Sequence, residues 1–97
     1  MTAHSDYHYS IAVHTVDKAV LYCLRALADL AQTTGNTLIV WANTGNNEWK
    51  HGNHIVCFHF SSPEYRDEFV EYAVRLLPRG SWVETARSDS DPAKRAR

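Results

Sequence analysis

The sequence predicts an α+β domain in which a four-stranded antiparallel sheet carries two helices on one face. Three observations lead there. Two stretches, residues 20–31 and 63–77, space apolar residues for helices, and shorter stretches alternate with a period of two, as strands do. These segments follow one another as strand, helix, strand, strand, helix, strand. The 97 residues, 44% of them hydrophobic, suffice for one core and not for two.

Residues 1–6 are polar and read as a frayed start. Tyr7, Tyr9, Ile11 and Val13 then alternate with His8, Ser10, Ala12 and His14, a half-buried strand whose first set faces the core. Thr15 or Asp17 opens the first helix, whose stripe of Val20, Cys23, Leu24, Leu27, Leu30 and Ala31 runs to a stop at Gly35. Residues 37–42 read as the second strand, with Leu38 and Val40 on one face and Ile39 and Trp41 on the other. Residues 43–53, NTGNNEWKHGN, are rich in Asn and Gly and read as a long mobile connection that carries Trp49 and Lys50.

In the third strand Ile55, Cys57 and His59 alternate with Val56, Phe58 and Phe60, and two large-residue faces suggest a central position. Ser62 then caps a second helix with Pro63 at its first position and Glu64, Asp67 and Glu68 near its positive end. This helix buries Phe69, Tyr72, Ala73, Leu76 and Leu77 and stops at Pro78 and Gly80. Residues 81–86, SWVETA, form the fourth strand, whose facing the pattern leaves open between Val83 and the pair Trp82 and Glu84. From Arg87 onward no large apolar residue occurs, so residues 1–86 read as the domain and 87–97 as a disordered polar tail.

Right-handed crossovers leave few ways to assemble this order, and the ferredoxin-like βαββαβ sandwich, with strands in the order 4, 1, 3, 2, answers it best. If Ile11, Val13, Val40, Phe58 and Phe60 meet the helices, then His8, Ser10, Ala12, His14, Ile39, Trp41, Ile55, Cys57 and His59 lie on the open face. Ile39, Trp41 and Ile55 make that face apolar enough to be an interaction surface.

Charge and motifs narrow the chemistry. A net charge of −1 and a pI near 6.6 give no global basic field to draw nucleic acid or an anionic membrane. No apolar run is long enough for a membrane span, and the polar start has no signal-peptide pattern, so a cytoplasmic protein without membrane attachment is expected. Cys23 and Cys57 form no CxxC pair and read as reduced packing residues.

His8, His14, Cys57 and His59 would suit zinc by chemistry, but no local pair fixes two ligands, and His8 and His14 are on the order of 20 Å apart along a strand. Cys57 with His59 or His8 would be the thiol-enzyme alternative. Strand neighbours two apart are about 6–7 Å from each other, far for a thiol–imidazole hydrogen bond. No oxyanion hole or Gly-rich phosphate cradle stands out. The reading therefore assigns no catalytic residue, metal or cofactor.

The strand order and the passage VCFHFSSPEYRDEFVEYA resemble the third strand and second helix of the RNA-recognition motif family. In that family aromatic residues on the central strands stack on bases. The matching positions here are Ile55 and Cys57, with Ser10 or Ala12, and none is aromatic. The family's basic residue and glycine before the strand have Lys50 and Gly52 as loose counterparts. The resemblance implies a nucleic-acid-binding alternative that lacks the usual stacking aromatics.

The leading expectation is a small, stand-alone, non-catalytic protein-binding module, a regulator or stoichiometric inhibitor. A phage-encoded inhibitor of a host defence complex, such as an anti-CRISPR, is its concrete form. The expected binding residues are His8, Ile39, Trp41, Trp49, Lys50, Ile55, Cys57 and His59. The partner is a protein, and a homodimer through the open sheet face is one form of it.

Overall fold

Local chemistry sets both long helices. In the computed structural model, which describes residues 4–41 and 44–93, the Asp17 side chain caps α1 (Lys18–Ala31) by accepting from the Ala19 and Val20 amides. Ser62 caps α4 (Pro63–Leu76) by accepting from the Tyr65 amide, with Pro63 at the first helical position. Between them come two short helices, α2 (Thr37–Trp41) and α3 (Asn46–His51). The strands are β1 (Tyr9–His14), β2 (Ile55–Phe60) and β3 (Val83–Ser88), and a single 3-10 turn, His4–Asp6, precedes them.

The fold is α+β, but the expected four-stranded ferredoxin-like sandwich is not formed. Among the described residues the sheet has three strands in the order β2-β1-β3, antiparallel throughout. The missing strand is residues 37–41, which form α2; residue 42 lies outside the described residues. Asn36 decides this by accepting from the Leu38 amide through its side chain at 3.0 Å and from the Ile39 amide through its carbonyl at 3.2 Å. Its own amide donates to the Tyr7 hydroxyl at 2.7 Å, which pins the turn to the core. Gly35, at φ 81°, lets the chain pass the Tyr7 ring, where a Cβ would strike the hydroxyl. The helical turn then buries the adjacent residues Ile39 and Val40 together, which a strand would send to opposite faces.

β2 is consequently an edge strand and not a central one. Its outer edge packs against α2 and Thr44, whose hydroxyl accepts the Cys57 amide at 3.1 Å. On the other side of β1 the register slips between Ala12 and Val13, which pair with Ala86 and Glu84, so Thr85 is an inserted residue.

α4 packs on β1 and β2 with α1 alongside, and Phe69 sits 4.9 Å from the Phe58 ring and 5.4 Å from that of Phe60. The expected parity holds for β1 and β2: Ile11, Val13, Val56, Phe58 and Phe60 are fully buried on the helix side. The α1 stripe is rotated from the expected one. Val20, Leu21, Leu24, Ala28 and Ala31 are buried, whereas Cys23 and Leu30 face outward. Cys23 is therefore not a packing residue. In α4, Phe69 and Ala73 are buried as expected, Leu76 is exposed, and Arg66 is buried.

The expected disordered tail also changes at its start. Arg87 and Ser88 complete β3, and the Asp91 and Ala93 amides then donate to the His8 and Tyr7 carbonyls, each at 3.0 Å. Backbone hydrogen bonds hold residues 87–93, so a composition without large apolar residues gives no sign of it. Residues 94–97 lie outside the described residues.

Candidate functional site

The expected binding residues fall into three places. On the sheet, antiparallel pairing sets His14 beside Ile55, Ala12 beside Cys57 and Ser10 beside His59, all on the face away from α4. The segment after β3 crosses one end of this face. Its Asp91 carboxylate lies 3.3 Å from His59 Nε2, and the Asp89 carbonyl lies 2.6 Å from His8 Nδ1. His59 and Ser10 are thereby buried. The rest of the face stays accessible: Ala12, His14, Ile55 and Cys57 are half-buried, Ala86 is exposed, and Val83 is 56% exposed.

Cys57 is not poised as a nucleophile. Burial pushes its thiol up from the ordinary range, the nearby Asp91 charge adds to this, and the Thr44 hydrogen bond opposes it. Among the described residues no three His, Cys, Asp or Glu side chains gather into a group that could hold a metal ion.

Ile39 and Trp41 leave the sheet face altogether, because α2 replaces the strand that would have placed them there. Ile39 joins the core. The Trp41 indole donates to Asp29 at 2.8 Å, and its ring lies 5.3 Å from the Arg25 guanidinium, so it rests on the outer side of α1.

Trp49 and Lys50 define the third place. The segment expected to be a mobile connection contains α3, and Trp49 is buried, with its indole donating to the Thr15 carbonyl at 2.8 Å. Residue 43 lies outside the described residues. His54 meets the Trp49 ring edge-on at 5.0 Å, donates its amide to the Trp49 carbonyl and accepts the Thr15 amide. Asn53 and His54 both have positive φ, 63° and 60°, a conformation uncommon outside glycine and strained for a side-chain-bearing residue.

Together these groups bound an open cleft of about 480 Å³ lined by Lys18, Asn46, Asn47, Trp49, Lys50 and His54. Arg25 braces one wall, donating to Asn46 Oδ1 at 2.7 Å and to the Thr44 carbonyl at 2.9 Å. Sequence reasoning singled out Lys50 and Trp49 but missed Lys18, Asn46, Asn47 and His54. The available signal was the spacing of Asn46 and Lys50, four apart, which places them on one helical face.

Comparison of the chain with protein-family models, with curated proteins and with solved structures gave no match. Among the described residues no helix is long and apolar enough to cross a membrane.

Proposed function

We propose that this protein is a non-catalytic binding module whose sheet face, opposite α4, receives another protein. One observation carries the reading: Val83, Ala86, Ile55, Cys57, Ala12 and His14 form a continuous, mainly apolar surface beside the crossing of residues 89–93. Apolar surface at the centre of a patch with a polar rim is the composition that protein partners bury. The raised Cys57 thiol speaks against thiol catalysis. The positions that would stack on bases in an RNA-recognition motif carry Ile55, Cys57, Ser10 and Ala12 here, which speaks against that mode.

The partner is taken to be foreign, because Ile39 and Trp41, on which a homodimer through this face rested, lie in the core and on α1 instead. The test is parallel affinity capture from the native host with the unmodified chain, Ile55→Glu, Val83→Glu and, as a control on another surface, Leu38→Glu. A protein held by the unmodified chain and by Leu38→Glu, but lost by both face variants, supports the reading. Retention by the face variants, release by nuclease, or concentration-dependent dimerisation in sedimentation would each overturn it.

A further inference from the structure

We infer that the cleft between α1 and α3 binds the phosphate group of a small phosphate monoester. Charge favours this ligand. Lys18 and Lys50 both line the cleft, no carboxylate lines it, and among the described residues neither lysine enters an ion pair. Of the neighbouring acids, Asp17 accepts from the Ala19 and Val20 amides, and the Glu48 carboxylate lies over Gly45. Two ammonium groups match a phosphate monoester, which carries about −1.5 to −2 at neutral pH, better than a monocarboxylate.

Donor placement and rigidity favour it as well. The Asn47 amide and the His54 imidazole add hydrogen-bonding groups to the two ammoniums. Asn46 is fixed by Arg25 and Trp49 by Thr15, so the walls exist before any ligand arrives.

Size is also suitable. The cleft, at about 480 Å³, lies within the range of about 300–1,000 Å³ typical of small-molecule sites and exceeds a bare phosphate, so an organic remainder fits beside the His54 and Trp49 rings. A nucleic-acid backbone would need a basic stripe, and on a chain of net charge −1 a concave cleft lined by two lysines suits a small ligand instead.

The experiment is an NMR titration of the full chain with AMP and with phenyl phosphate, using adenosine and acetate as controls at constant ionic strength. Saturable shifts at the amides of Asn46, Asn47, Lys50 and His54 and at the Trp49 indole are expected. Affinity should drop about tenfold or more in Lys18→Gln and in Lys50→Gln, each of which loses a charged contact. Both lysines are exposed, so neither variant threatens the fold. Absence of shifts at millimolar ligand, shifts confined to other residues, or equal responses to adenosine or acetate would each overturn the assignment.

Discussion

Replacing Arg66 by methionine tests the most unusual element of the core. Arg66 is 5% exposed, and its Nη1 donates to the Ser10 carbonyl at 3.3 Å and to the Ser88 carbonyl at 3.0 Å. Its Nη2 meets Asp89 at 2.8 Å, and the guanidinium lies 5.9 Å from the Tyr9 ring. One side chain thus ties α4 to β1, to β3 and to the segment that crosses the sheet. Hydrogen bonds to a charged donor contribute about 1.5–3 kcal/mol each, and the longer of these two belongs at the low end. The Asp89 carboxylate is 72% exposed, so its pairing adds no more than about 1 kcal/mol. Methionine keeps most of the packing and removes the cost of burying a charge, which offsets part of the loss.

The net expectation for Arg66→Met is a destabilisation of about 2–3 kcal/mol, while Asp89→Asn costs about 0.5 kcal/mol. Urea unfolding monitored by circular dichroism reads both values. For a domain of this size the thermal midpoint of Arg66→Met should fall by roughly 10–20 °C. If Arg66→Met is as stable as the unmodified chain, or if Asp89→Asn costs as much as Arg66→Met, the account of Arg66 as a strap through backbone carbonyls is wrong.

Three further outcomes are expected. Cys23 should alkylate readily with iodoacetamide while Cys57, shielded and with its thiol pushed up by burial, lags well behind; equal rates by mass spectrometry would contradict this placement. Gly35→Ala should cost about 1–3 kcal/mol in the same urea assay, since it adds a Cβ at φ 81° against the Tyr7 hydroxyl, and an unchanged midpoint would show that this turn can move. The Glu84 carboxyl is held below its usual range, first by the Arg87 hydrogen bond, so its contribution is present above the ordinary carboxylate range and lost as pH falls through the lowered value. Stability of the unmodified chain should therefore drop more steeply on acidification than that of Glu84→Gln, and parallel curves would remove this pair as a source of the pH dependence.

What could be read from the residues was what they settle locally. Ser62 and Pro63 start α4 by capping and by a fixed φ, needing no distant partner, and the alternation in β1 and β2 states which residues face α4. Leu38, Ile39, Val40 and Trp41 are too short a run for period to decide between strand and helix, and the Asn36 side chain and the Tyr7 hydroxyl broke the tie. The binding set divided for the same reason: Ile55 and Cys57 were placed on their face by strand parity, whereas Trp41 went with α2 and Trp49 with α3. Arg66 gave no sign of burial, because its partners are main-chain carbonyls of residues far away in sequence.

The position of β1 has a consequence for how the molecule is made. Ser10 pairs with His59 on one side and with Ser88 on the other, so the middle of the sheet emerges from the ribosome first and its neighbours come much later. Both ladders are closed by distant pairings, whose loop-closure entropy must be met before they stabilise anything. During synthesis both edges of β1 wait for their partner strands. Refolding from urea should accordingly be slow for a chain of this length, and fragments ending before β3 should aggregate, because an unpaired central strand is an open template for another copy of itself.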